Sequence, residues 1–317
     1  MARGYQGAAG DVKALAMKKW FNTNYHYIVP EVEDDTVISL SGNKIWDEYE
    51  QAKSLGIETK PVVVGAYTML KLCRYMGSRT AVDYVDDIVM AYCDLLRRCE
   101  ENQITWIQLD EPALVQDMDE NDIKLFRRIY DEVLSCKKSC HVLLQTYFGD
   151  VRDIYRDLIG MHFDGIGFDF LEGKETMNLI EKYGFPQDKL LFAGLVNGKN
   201  IWRNHYDRTL KILAQLKERN INVVLSTSCS LLHVPYTLKH EHSLSQDYLS
   251  HFAFAEEKLG ELHELGILAD SDDYTSEEAY IDNQQLFTVK RDCENEQVKQ
   301  RLESVGENDY IRLPKRS

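Results

Sequence analysis

Lys19, Asn22, Thr23 and Asn24 are interleaved with Trp20, Phe21, Tyr25, His26 and Tyr27 in the stretch KWFNTNYHYIVPE at 19–31. Neither an amphipathic helix nor an alternating strand requires such a mixture. Flat rings beside a cation and amides suit the holding of a ligand. An aromatic-rich extended segment plugging the end of a core is the competing reading, because aromatic side chains bury well. Composition alone leaves both open. Pro30 ends the stretch, since proline restricts its predecessor to extended conformations and donates to no ladder.

Further chemistry-bearing residues recur downstream. Asp110 and Glu111 close the run WIQLDEP. Adjacent strand residues face opposite ways, so only one of the two can aim into a barrel mouth, and their spacing alone does not make an acid/base pair. Such a carboxylate either caps a loop or binds an arginine, or it accepts from a substrate amine or hydroxyl. Cys229 with His233, and Cys136 and Cys140 with His141, are of zinc-ligand type. The latter group falls at a helix end and a strand start, away from the rim where barrel sites lie. Cys229 has only Asp169 for company, short of the three protein ligands zinc needs. In LVNGKNIWRN, 195–204, Asn197 and Gly198 signal a turn first and an anion contact through Lys199 or Arg203 second. STSCSLLH, 226–233, groups hydroxyls without an acidic partner, so no hydrolase triad is indicated.

The elements that must position these residues follow from hydropathy. Six short apolar runs, at 61–69, 104–112, 141–149, 165–170, 189–196 and 221–229, alternate with helical patterns. That is the rhythm of βα units around a parallel sheet. Helices are predicted over 82–99, 121–135, 151–159, 205–218, 243–265 and 276–289. A dinucleotide-binding sheet would need a glycine fingerprint after its first strand, where only Gly65 stands. Polar residues at the strand ends, among them Asp110, Glu111, Thr146, Tyr147, Asp169, Asn197 and Cys229, fit an α/β fold of the (βα)8 TIM-barrel type. About six of its eight strands are then present, so the barrel is truncated. The predicted division is an extended and helical segment over 1–60, the incomplete barrel over 61–265, and a helical, charged linker over 266–317.

Bulk properties set outer limits. A 317-residue chain that is 44% hydrophobic can bury a large core. Its net charge of −15 repels nucleic acid and anionic membrane surfaces, so an anionic small molecule would need a locally basic pocket. No apolar run approaches the roughly 20 residues that span a bilayer. Seven cysteines at 73, 93, 99, 136, 140, 229 and 293 form an odd set without framework spacing, and the N-terminus lacks a signal-peptide core. A reducing cytoplasm is expected.

With these residues in view, the chain resembles the N-terminal domain of cobalamin-independent methionine synthase, the 5-methyltetrahydropteroyltriglutamate–homocysteine methyltransferase family. The resemblance rests on KWFNTNYHYIVPE (19–31), WIQLDEPALV (106–115), TYFGD (146–150), LFAGLVNGKNIWRN (191–204) and STSCSLLHVP (226–235), and it covers nearly the whole chain. It implies two face-to-face barrels derived by duplication. The C-terminal barrel carries zinc, homocysteine and the chemistry, and the N-terminal one helps hold the folate polyglutamate tail. Lys19 and Asn24 match the tail-contacting positions, a compact cation for carboxylates and an amide that both donates and accepts. On this resemblance the absent strands are the first two, and the partners are 5-methyltetrahydrofolate polyglutamate and the C-terminal catalytic barrel. Gln145, Tyr147, Asp169 and Cys229 stand where the catalytic copy holds zinc. With its His and first Cys lost, this chain is expected to bind no zinc and to have no catalytic residue of its own. Gln116 replaces a second acid of the catalytic copy. The alternative is a stand-alone, non-catalytic scaffolding module that pairs with a separate barrel. A third reading is a zinc methyltransferase acting alone, for which metal analysis would find one zinc per chain.

Overall fold

The computed structural model describes residues 4, 13–288 and 295–311. In chain order its elements are β1 (Met17–Lys19), β2 (His26–Ile28), β3 (Glu31–Val32), α1 (Lys44–Ser54), β4 (Val62–Val64), α2 (Ala66–Leu72), β5 (Arg74–Tyr75), α3 (Val85–Glu101), β6 (Trp106–Asp110), α4 (Glu120–Ser135), β7 (His141–Gln145), α5 (Tyr155–Gly160), β8 (Gly165–Asp169), α6 (Thr176–Tyr183), β9 (Leu190–Val196), α7 (Tyr206–Glu218), β10 (Asn222–Thr227), α8 (Gln246–Leu249), α9 (Ala255–Asp270), α10 (Glu278–Thr288) and α11 (Glu296–Glu303). Residue 289 of the predicted last helix, Cys293 and the tail from 312 lie outside the described residues.

One six-stranded sheet organises the molecule, in the order β10-β9-β8-β7-β6-β4, with every pair parallel. All six predicted runs supply its strands. Alternation along them separates two faces. Ile107, Leu109, Val142, Leu144, Ile166, Phe168, Leu191 and Ala193 are fully buried in the main core with residues of α3 and α4. Opposite them stand Gln108, Asp110, Gln145 and Asp169, with Gly165, Gly167 and Gly194 between. The sheet curls about this polar face, because Val62 of β4 and Ser226 and Thr227 of β10 line one cavity together with Gln108 and Gln145. Among the described residues β4 and β10 do not pair with each other. Val62 and Val64 therefore remain 53% and 38% exposed.

The helices predicted over 82–99 and 151–159 start later, at Val85 and Tyr155, and two further elements change for a tertiary reason. The run 61–69 ends as a strand at Val64, and AYTMLKL forms α2 instead. The Glu111 carboxylate accepts from the amides of Tyr67 at 2.9 Å and Thr68 at 2.7 Å, satisfying the N-terminal donors of α2 from a neighbouring strand. A Cβ on Gly65 would fall inside that carboxylate, so only glycine admits it there. The helix predicted over 243–265 is split into α8 and α9. Between them Phe252 pairs with Trp202, Arg203 N donates to His251 O at 2.9 Å, and Ala253 N donates to Ile201 O at 2.7 Å.

The cysteines also depart from expectation. Cys93 on α3 and Cys136 at the end of α4 form a disulfide across 5.5 Å between Cα atoms. Side-by-side packing of the two helices brings together residues 43 apart in sequence, a pairing that no framework spacing announces. Cys136 is thereby removed from any ligand set with Cys140, while the His141 ring faces Asp164 at 3.2 Å. At the C-terminal end α10 packs on α7, where Tyr206 N donates to Asn283 Oδ1 and Asn283 Nδ2 donates to Asn204 O, both at 2.9 Å.

Candidate functional site

The β1–β2 ribbon folds its turn onto the C-terminal ends of the sheet strands. Its geometry is set locally: Trp20 N donates to Tyr25 O at 2.7 Å, and the buried Thr23 hydroxyl donates to Trp20 O at 2.6 Å. Phe21 takes a left-handed φ of 48°, and Phe148, beneath it, one of 75°. Bulky side chains adopt that region only when surrounding contacts enforce it. Here the contacts are aromatic. Phe21 packs edge-on to Trp20 at 5.0 Å and against Phe148 at 6.2 Å, and Phe148 meets Tyr147 at 4.7 Å and His233 at 5.6 Å. Tyr25 stacks edge-on against His233 and donates its hydroxyl to Leu232 O at 2.5 Å. The aromatics thus serve packing, fixing the ribbon as a roof.

Under the roof lies a cavity of about 550 Å³ that includes Trp20, Tyr25, Asp110, Gln145, Tyr147 and Cys229 in its walls. Asp110 points into it, accepting from Gln108 at 2.8 Å and Tyr147 at 3.1 Å. Burial pushes its carboxyl up to about 6, against the pull of those donors and of Lys60. Glu111 faces the other way and is wholly buried, as strand alternation requires. It resolves the earlier choice in favour of a cap, here on α2. Besides the two α2 amides it accepts from the Thr68 hydroxyl at 2.6 Å and from Tyr130. Burial of Cys229 pushes its thiol up to about 12, so at neutral pH it is protonated and a poor nucleophile or ligand.

The outer face of the ribbon carries a second cavity of about 460 Å³, lined by Lys19, Phe21, Asn22, Tyr27, Leu72, Val115, Gln116 and Phe148. Lys19 therefore shares a wall with the amides of Asn22 and Gln116. Asn24 is exposed in the turn and lines neither this cavity nor the mouth. Sequence spacing marked Asn22 only as one polar residue among several, and the fold is what brings Gln116, nearly a hundred positions away, beside it. In the NGK segment the turn reading accounts for the backbone: Asn197 Oδ1 accepts from the amides of Lys199 at 2.8 Å and Asn200 at 2.9 Å. Lys199 itself is ion-paired to Glu172 at 2.7 Å.

Of Gln145, Tyr147, Asp169 and Cys229, the residues expected from the resemblance to stand at a zinc position, three are engaged in ways that do not suit a metal. Tyr147 gives its hydroxyl to Asp110, the Cys229 thiol is protonated, and Asp169 accepts from the amides of Phe148, Leu171 and Glu172 at 3.1, 2.8 and 2.9 Å.

A curled parallel βα sheet whose mouth is roofed by an aromatic ribbon defines the class, and the chain belongs to the family described as "Cobalamin-independent synthase, N-terminal domain", whose model matches residues 1–221. Two solved structures share the fold at low identity. They are a putative vitamin-B12 independent methionine synthase from Listeria monocytogenes (TM-score 0.56, 14% identical, 76% of this chain and 72% of that one) and a B12-independent methionine synthase from Shewanella sp. W3-18-1 in complex with selenomethionine (TM-score 0.55, 16% identical, 84% and 73%). Among curated proteins, the 5-methyltetrahydropteroyltriglutamate–homocysteine methyltransferase of Lactococcus lactis subsp. lactis (strain IL1403) is 48% identical over 316 residues. The protein of the same name from Streptococcus thermophilus (strain ATCC BAA-491 / LMD-9) is 50% identical over 314. Each alignment takes in 99% of this chain, which spans 41% of the relative's length. No helix among the described residues is long and apolar enough to cross a membrane.

Proposed function

We propose that this chain is the N-terminal, folate-polyglutamate-binding part of a zinc-dependent methyltransferase that moves a methyl group from 5-methyltetrahydropteroyltriglutamate to homocysteine, forming methionine. The relatives' names supply the reaction, and the Lys19 cavity supplies the observation that carries this chain's share of it. On a chain of net charge −15, a polyanionic tail needs a local cation with amide donors beside it. Lys19, Asn22 and Gln116 provide that set around one cavity, and Asn24, on the exposed turn, would meet the tail outside it. Zinc and homocysteine chemistry fall to a C-terminal catalytic barrel, since the residues here are engaged otherwise. In that barrel zinc would lower the thiol pKa of homocysteine. This chain alone is then inactive, and its setting is the cytoplasm, where reduction would open the Cys93–Cys136 bridge. The proposed domains are 1–60, 61–265 and 266–317, with two further strands completing the barrel between β4 and β10.

Calorimetric titration of the 317-residue chain with 5-methyltetrahydrofolate triglutamate tests this reading. Heat of binding is expected, with a loss of roughly tenfold in affinity, about 1.4 kcal/mol, for Lys19→Ala. Absence of heat in the wild type, or an unchanged affinity in the variant, refutes the Lys19 role.

The open sheet edge favours a second reading, a non-catalytic module that pairs with a separate partner barrel, because unpaired strand edges recruit partners. Its measurable signature is protection of the β4 and β10 amides from hydrogen exchange when that partner is added.

A further inference from the structure

The Lys199 side chain lies at the junction of three loops. Its Nζ donates to Glu172 Oε1 at 2.7 Å and Oε2 at 2.9 Å, and to Asn22 Oδ1 at 2.8 Å. Asn22 Nδ2 in turn donates to Glu172 Oε2 at 2.9 Å. The ammonium also stands 4.8 Å from the centroid of the Phe148 ring, a favourable cation–π approach. One carboxylate is thus held by an ammonium and an amide over an aromatic floor. These are the components from which carboxylate sites are made, and both holding loops are fixed. Gly198 lies against Cys229, where a Cβ would meet the Cys229 carbonyl, and Asp169 pins the Leu171 and Glu172 amides. Asn22 and Phe148 also line the Lys19 cavity, so the two features are continuous. The Lys199 and Glu172 side chains stay 24% and 33% exposed, within reach of a ligand.

We propose that Lys199 Nζ and Asn22 Nδ2 form a second carboxylate subsite, occupied in the free chain by the chain's own Glu172, which a carboxylate of the ligand tail displaces. The proposal rests on the reading of the ribbon as a polyglutamate-tail site and extends it by one position. Glu172 then acts as an internal competitor. While the tail is away it keeps a lysine from facing an empty pocket, and it lowers affinity by its own hold on that lysine. A single glutamyl residue, with its two carboxylates on one short arm, reaches Lys19 alone, whereas a longer γ-glutamyl chain reaches both cations.

Titrations of the 317-residue chain with 5-methyltetrahydrofolate monoglutamate and triglutamate decide the matter. For the triglutamate, Glu172→Gln is expected to bind several-fold tighter than wild type, Lys199→Ala roughly tenfold weaker, and Lys199→Arg close to wild type. For the monoglutamate all three should differ little from wild type. A melting curve for each variant confirms that it is folded. The subsite is overturned if Glu172→Gln binds triglutamate no tighter and Lys199→Ala no weaker, or if both forms shift equally, as a general loosening of the ribbon would cause. The Lys19→Ala arm separates the two claims. If it alone weakens binding, the tail site stands without this subsite. If only the Lys199 and Glu172 variants respond, the subsite stands and the Lys19 role falls. No binding in any protein overturns both.

Discussion

Asp110 and Glu111 are chemically near twins, and their environments diverge because one peptide unit turns successive side chains to opposite faces. Asp110 meets a cavity; Glu111 meets the amides of α2. Complete burial pushes the Glu111 carboxyl up to about 7 from an ordinary value of 4.5, although Thr68 and Tyr130 donors pull it down. A raised folded-state value means that the native protein holds this proton more tightly than the unfolded chain does. The associated stability is full below pH 4.5 and is lost as pH rises toward 7. Glu111→Gln removes the titration, so the stability difference between wild type and variant should shrink by on the order of 3 kcal/mol across that window. It should be level above the window. Urea midpoints at a series of pH values measure this, and a flat difference would show that Glu111 does not titrate there. Asp110, pushed up to about 6, titrates in both proteins and cancels.

Among the elements, α3 and α4 carry a constraint that their amphipathic patterns do not reveal. Both bury an apolar stripe, Ile88, Tyr92, Leu95 and Cys99 on one and Phe126, Ile129, Tyr130 and Val133 on the other, and the disulfide between Cys93 and Cys136 ties their flanks. Cross-linking a loop of 43 residues restricts the unfolded ensemble by about 4 kcal/mol in the chain-entropy account. Reductant should therefore lower the melting temperature of the wild type. Cys93→Ser should melt low with or without it, and a wild type indifferent to reductant would deny the bridge any stabilising part. The ribbon shows the same division between pattern and packing. Its aromatic composition was plain, yet which rings would roof the mouth depended on Phe148 and His233, which arrive from distant loops.

For the whole molecule the decisive feature is a sheet that, among the described residues, curls without closing. Amides on the outer side of β4 and β10 have no sheet neighbour among the described residues, while β7 and β8 are paired on both sides under a buried core. Local stability follows such coverage. Hydrogen exchange should run fastest in β4 and β10 and slowest in β7 and β8, and equal protection in β4 and β8 would mean that the edge is already covered in solution.

Much of this architecture was legible in advance. Strand and helix periodicities are local properties of a chain, so the six βα runs, the polar strand ends and the family resemblance could be read from residue order alone. The conversion of 66–69 from strand to helix could not, because it depends on Glu111, the residue after β6. Nor could the break before α9, made by residues 201–203, the pairing of Cys93 with Cys136, or the placing of Lys19 beside Gln116 and of Glu172 between Lys199 and Asn22. Each of these joins groups tens to hundreds of residues apart. Local pattern determined which elements form and which of their faces are apolar; only the curl of the sheet, which brings its strand ends and their loops together beneath the ribbon, decided which polar groups meet.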